Sequence, residues 1–251
     1  MRPMLRSALL LLAFTLCALG GDARASEAPP EFKARLERMR TATASLQQYT
    51  CTFRREEWQG GKPLGAQLMA IKFRKPMDIY MRWEGETYKG RELIFRRGWN
   101  DDKLHVKPTP GALVPTLNLD PEGGLAMRGS RHSIDMVDMG NIVSLILRQT
   151  DKLEKSTSLS ASFTDQGPQV VNGEASRCMQ VDLPKQQDPA LYARRVDMCM
   201  SDRTGLLTRL RTWDEDAGEV RKVEDYEFRS MNLSPGLTDA DFDPENEAYG
   251  F

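Results

Sequence analysis

From Tyr49 onward the chain alternates apolar and polar residues over short stretches, and clusters of Gly, Asn, Asp and Pro separate those stretches. A period of two is what a strand with one buried face requires, and short turns make successive strands antiparallel. Residues 49–58 lead through Gly60-Gly61 into 65–74, where Met69, Ile71 and Phe73 share a face. Ile79, Met81 and Trp83 then alternate with Tyr80, Arg82 and Glu84, and Leu93 and Phe95 precede the turn at 98–102, which Leu104 and Val106 follow. Strands around 158–163 and at Val170-Val171 reach Asn172-Gly173, a dipeptide suited to the two positive φ angles of a tight hairpin. Gly205 and Asp216-Ala217-Gly218 bracket a strand at 206–213, and 220–228 forms the last long one. The expected fold is mainly β: a strongly curved antiparallel sheet of about ten or eleven strands.

Two segments break the alternation. Behind Pro29-Pro30, the residues Phe32, Leu36, Met39, Thr43 and Leu46 recur at steps of four and three, with Lys33, Arg35, Glu37, Arg38 and Arg40 mostly opposite. This is an amphipathic helix resting on something apolar. A second helix is expected over 136–152, opening after Asp135 as N-cap with Asp138 in its first turn. Met139, Ile142, Val143, Leu145, Ile146 and Leu147 cover most of its circumference, so it should be largely buried. An apolar helix in the middle of a β-chain can fill the inner face of a curved sheet.

Cys178 and Cys199 read as a disulfide. Residues 175–183 alternate with Met179, Val181 and Leu183 on one face, and 192–200 with Val196, Met198 and Met200. The turn-forming run 184–189 lies between them, and the midpoint of the two cysteines falls inside it, so a hairpin sets them opposite each other. Both occupy the phase opposite to the apolar residues. An oxidising compartment would close the bond. Cys51, between Thr50 and Thr52, is read as a buried free thiol, with pairing to another molecule as the alternative.

Oxidising surroundings agree with the start of the chain. Arg2 and Arg6, the apolar run 8–19 and the triplet Ala23-Arg24-Ala25 form a secretory signal with its cleavage site, so residues 1–25 are expected to be removed and 26–251 to form one domain. The apolar run is well short of the roughly 20 residues that span a bilayer. Cys17 follows Leu16, where lipid attachment needs a small residue, so a soluble periplasmic protein is expected rather than an anchored one. Removing Arg2, Arg6, Arg24 and Asp22 from 35 basic and 36 acidic residues leaves 32 and 35, a net charge of −3. That balance excludes nucleic acid as a partner.

Three segments carry a family resemblance: Phe73-Arg74-Lys75-Pro76 to Trp83; Gly90-Arg91-Glu92-Leu93 through Gly98-Trp99-Asn100-Asp101; and the ending from Leu237-Thr238-Asp239-Ala240-Asp241-Phe242 to Asn246-Glu247-Ala248-Tyr249-Gly250-Phe251. Together they resemble the bacterial family known as domain of unknown function 1571. In its order of elements the chain is also similar to periplasmic lipoprotein carriers and their outer-membrane receptors. That second resemblance implies a half-open barrel that holds acyl chains against helices, and it carries no ligand residues over by motif.

Catalytic and metal readings fare less well. His132 stands near Ser130, Ser133 and Asp135, but no G-x-S-x-G elbow surrounds either serine. His105 is read as a rim or surface residue, and Arg54, Arg55, Glu56 and Glu57 as solvated faces and cross-strand pairs. The acidic run Asp239, Asp241, Asp243, Glu245, Glu247 fails as a calcium loop, because Pro244 stands where glycine is needed and Gly250 where the closing glutamate belongs. A capped turn followed by a docked aromatic tail of Phe242, Tyr249 and Phe251 accounts for it. Two histidines and one spare thiol cannot supply a zinc site. No cofactor and no metal are expected.

The expected function is therefore an exported, non-enzymatic carrier or sensor for a lipid or an acylated protein. Its wall would be Ile71 and Phe73, Ile79, Met81 and Trp83, and Met198 and Met200, faced by Ile142 and Ile146 from the helix. Eleven methionines outside the signal suit an adaptable apolar surface. The alternatives are an envelope protein-interaction module with a packed barrel and no ligand, and a hydrolase in which His132 meets a base and a nucleophile in space. An apolar cavity of about 300 Å³ or more separates the first reading from the second.

Overall fold

The computed structural model describes residues 27–251, so the signal segment and its cleavage site lie outside the described residues. Helix α1 spans Pro30–Ser45, with Pro30 at its first turn, where a missing N–H costs nothing. Twelve strands follow: β1 (Gln48–Gln59), β2 (Lys62–Pro63), β3 (Gln67–Arg74), β4 (Asp78–Trp83), β5 (Glu92–Arg96), β6 (Leu104–Lys107), β7 (Leu117–Leu119), β8 (Ser162–Val171), β9 (Glu174–Asp182), β10 (Arg195–Ser201), β11 (Leu207–Asp216) and β12 (Glu219–Asn232). Helix α2 (Met139–Lys155) is inserted between β7 and β8.

All strands belong to one antiparallel sheet in the order β7-β6-β5-β4-β3-β1-β12-β11-β10-β9-β8, with β2 paired to β1 off this path. β7 and β8 are its two edges, so the sheet stays open. The chain walks from β1 to one edge, and its next strand is the opposite edge. Residues 120–161, α2 among them, make that passage. They cover the inner face, and their apolar side chains share one core with the strands and α1: Phe32, Leu36 and Met39 meet Tyr49, Phe53, Ile71, Phe73, Met139 and Ile142.

Several details depart from the sequence pattern for local reasons. α2 begins at Met139, after a short 3₁₀ turn at Ile134–Val137. Asp138, not Asp135, is its N-cap, accepting from the Gly140 N–H at 3.0 Å. The helix is one-sided rather than largely buried: Met139, Ile142, Val143, Ile146 and Leu153 are buried, while Leu145 and Leu147 are partly exposed. Residues 158–161 precede β8 rather than belonging to it, and Ser162–Val171 is one continuous strand. The three-residue edge β7 and the two-residue β2 are too short for alternation to announce them. At the hairpin between β8 and β9, Asn172 and Gly173 take φ of 50° and 83°, as their dipeptide requires.

The outer face carries two features. Cys178 and Cys199 are opposed in the β9–β10 register and bonded, with Cα atoms 4.0 Å apart, somewhat closer than the roughly 4.4–6.8 Å common for disulfides. At the other half, residues 237–251 dock against β4 and β5. Phe242 is fully buried against Tyr80 and Ile94, and Tyr249 stacks on Tyr80 at 3.9 Å. Thr238 and Asp241 form a reciprocal capping box in that segment, the role foreseen for the acidic run. His105 is part of this seal rather than a free rim residue, since its ring stacks on Phe251 at 5.1 Å.

Loss of the disulfide should matter more than any change at Cys51. The Cys178→Ser/Cys199→Ser double variant is expected to lose about 3 kcal/mol, a melting-point drop of roughly 6–12 °C for a chain of this size. Burial pushes the Cys51 thiol up to about 12, so alkylation should reach it only after unfolding. Thermal melts and non-reducing peptide mapping check both; pairing of Cys51 with either partner would contradict the register.

Candidate functional site

Beneath strands β3 to β7 the passage segment does not pack tightly onto the sheet, and a cavity of about 210 Å³ remains. Its apolar wall comes from Met81, Trp83, Leu93, Leu104 and Val106 on the sheet, Leu117 and Leu119 on the edge strand, and Ile134 and Val137 above them. Its polar side is formed by Arg55, Gln67, Tyr88, Arg91, Arg128, Ser130 and His132. Among the described residues no carboxylate lines it.

Gln67 organises the polar side. It lies in phase with Met69, Ile71 and Phe73 and is 2% exposed. Its side-chain oxygen accepts from Trp83 Nε1 at 2.8 Å and from Arg55 at 2.9 Å, and its amide donates to the Gly129 carbonyl at 3.1 Å. Arg55 also donates to Ser130 Oγ at 2.8 Å. These bonds fasten residues 129–130 of the passage to the sheet. Gly129, at φ 80°, sits where an added Cβ would lie 2.7 Å from the Tyr88 hydroxyl, so glycine lets that ring close over the cavity.

Next to this lies a buried ionic cluster. Glu224, on the inner face of β12, is 1% exposed. Its carboxylate meets His132 Nε2 at 2.6 Å and Arg131 Nε at 3.2 Å, and accepts from Thr212 Oγ1 and the Tyr192 hydroxyl, each at 2.7 Å. Burial alone would raise its pKa, but the His132, Thr212 and Tyr192 hydrogen bonds together hold it below the usual carboxylate range. Burial, with Glu224 nearby, pushes the Tyr192 phenol well above 10. Glu57 accepts from the Arg131 backbone N–H at 2.9 Å and from the Tyr226 hydroxyl. Arg55 and Glu57 are thus inner-face residues rather than solvated ones, in phase with Cys51 and Phe53. Only Arg54 and Glu56 pair on the outside, at 2.9 Å.

His132 therefore meets an acid and a phenol. Ser130 Oγ instead donates to the His132 carbonyl at 2.7 Å and accepts from Arg55. The serine–histidine contact that acyl transfer needs is not formed among the described residues. No group of three or more His, Cys, Asp and Glu side chains positioned to hold a metal ion is found among them either.

All nine wall candidates belong to the same inner-face core, and they divide by place. Met81 and Trp83 line the 210 Å³ cavity. Ile142, Ile146 and Met198 line a crevice of about 30 Å³ between α2 and the far half of the sheet. Ile71, Phe73, Ile79 and Met200 line neither and are packed, at 0–2% exposure. The polar residues Gln67, Arg91, Arg131, Tyr192 and Glu224 were not singled out from the sequence. Strand phase could have found two of them: Gln67 and Glu224 fall on the apolar phase of their strands, where a polar side chain must be buried.

The architecture is that of an open β-sheet whose inner face is roofed by two helices and a crossing segment, with an apolar cavity under the roof. The chain belongs to the family described as "Protein of unknown function (DUF1571)", whose family model matches residues 46–251. A search of curated proteins found no match. Among solved structures, the lipoprotein LppX of Mycobacterium tuberculosis shares the fold, at a TM-score of 0.51 and 15% identity over 84% of this chain and 99% of that one. MucB aligns at a TM-score of 0.44 and 13% identity, covering 86% of this chain and 63% of that one. A LolA superfamily protein from Nitrosomonas europaea gives 0.35 and 9%, over 84% and 96%.

Because its folded pKa is depressed, Glu224 contributes stability that is complete above its unfolded value near 4.5 and is lost as the pH falls through the folded value. Glu224→Gln should cost about 2 kcal/mol at pH 7, a drop of roughly 4–8 °C. The gap between variant and wild type should shrink toward pH 3. Melting curves at both pH values measure it; a gap that widens on acidification would reverse the assignment.

Proposed function

We propose that the protein is an exported, non-enzymatic carrier or sensor that takes a lipid or an acyl chain into the cavity under the passage segment. In this reading residues 1–25 direct export to the periplasm and 26–251 act as one unit. No helix among the described residues is long and apolar enough to cross a membrane. The observation that carries the proposal is the cavity itself: an apolar wall of Met81, Trp83, Leu93, Leu104 and Val106 next to a polar side, the arrangement an amphipathic molecule needs. The partners of His132 support a binding role over catalysis.

The cavity volume, about 210 Å³, falls short of the roughly 300 Å³ expected above of a carrier, the lower end of the range for sites that enclose drug-sized ligands. A single chain fits this better than a bulky lipid. A second reading, an envelope protein-interaction module, draws on that modest volume and on the exposed Leu113 and Val114 of the loop between β6 and β7.

Lipid extraction and mass spectrometry of natively purified protein test the carrier reading. Wild type should carry a stoichiometric acyl-containing species. Met81→Lys, which places a charge on the wall, and Leu117→Trp, which fills it from the half-buried edge, should each lose it while keeping a cooperative melt. A wild type free of lipid would favour the interaction module, and variants that retain it would put the lipid outside this cavity.

A further inference from the structure

The cavity has cations on its polar side and no acid to match them. Arg55 uses its donors on Gln67 and Ser130, both neutral. Arg91 has no ion pair and no side-chain hydrogen bond among the described residues, and its Nε is buried without a partner. Its guanidinium is held by rings instead, 3.8 Å from the centroid of Tyr88 and 5.6 Å from that of Trp83. Burial lowers its pKa; Tyr88 opposes that, and the neighbouring Arg55 adds to it. Arg128, exposed at the same cavity, is likewise without an acidic partner. Glu57 and Glu224 lie nearby but are committed to Arg131, His132 and the two tyrosines.

Two guanidiniums turned toward one small cavity repel each other, and a partly buried arginine normally recovers its desolvation cost from a carboxylate or phosphate. Here the described residues supply none. Stacked on Tyr88, Arg91 keeps the free donors of a planar fork that matches an oxyanion. The apolar wall begins beside it at Trp83. We infer that the site takes an anionic single-chain amphiphile, with a carboxylate or phosphate head bound by Arg91 and Arg55 and its alkyl chain laid along Met81, Leu93 and Val106. This rests on the carrier reading and specifies its ligand class. An uncharged lipid would leave Arg91 unpaired.

The test compares three probes on delipidated full-length mature protein by calorimetric titration: dodecanoate, 1-dodecanol and acetate. Dodecanoate should bind at least tenfold more tightly than 1-dodecanol, and acetate should fail to compete. Arg91→Gln should bring dodecanoate to within about twofold of 1-dodecanol and leave 1-dodecanol unchanged, while Arg91→Lys retains most of the preference. The unchanged alcohol affinity shows that the variant is folded. Equal binding of acid and alcohol by wild type would overturn the headgroup assignment and leave the carrier reading standing, as would a preference that survives Arg91→Gln; Arg91 would then be only a clasp on Tyr88. Acetate competing as well as dodecanoate would make the site one for a small free anion. Failure of both alkyl probes to bind would remove the carrier reading itself.

Discussion

Phe53 and Phe228 lie opposite each other at the centre of the sheet, one near the start of the described chain and one near its end. That β1–β12 pairing joins two meanders that run outward in opposite directions, one to β7 and one to β8. The middle of the chain has to travel from one edge to the other. An unpaired backbone crossing the inner face must either bring apolar cover with it or leave that face wet. Its answer is α2, whose buried side completes the core, and a 3₁₀ turn that carries Ile134 and Val137 over the cavity. Roof and cavity both follow from where the central pair places the two edges.

The passage is held by ions as well as by apolar contact. Arg131 and His132 reach Glu224 on β12, the Arg131 backbone reaches Glu57 on β1, and Gly129 and Ser130 reach Gln67 and Arg55. The two central strands thus anchor the segment that forms the cavity's ceiling. Buried pairs of this kind add little net stability over apolar packing but penalise every arrangement that breaks them. The passage is thereby fixed in one position along the sheet.

The sheet was legible because its signal is periodic and local. Alternation located the long strands, and Asn172-Gly173 and the 184–189 run located their turns. The parity of Cys178 and Cys199 put both on the outer face. Short edges were not legible, since three residues at β7 hold no period. The start of α2 was misplaced because Asp135 and Asp138 are both competent caps, and only tertiary packing of the 3₁₀ turn chooses between them. The site was the least legible part. Arg55 and Glu57 look like ordinary surface charges in a run of four, and nothing nearby in sequence reveals that Ser130 and Arg131 of the passage segment close over them on the inner face. A polar residue on the apolar phase of a strand is the one local sign available, and its partners are all remote.

The docked tail has a consequence for the order in which the molecule can assemble. Tyr80 and Ile94 are covered by Phe242, Tyr249 and Phe251, and β1 lacks one of its two long neighbours until β12 is made. The outer cover of β4 and β5 and the second long neighbour of β1 therefore wait on residues beyond 219. Closing loops of that length is entropically slow. The first meander can pair strand by strand as the chain lengthens, but its central edge and its outer apolar patch stay uncovered until the last residues arrive.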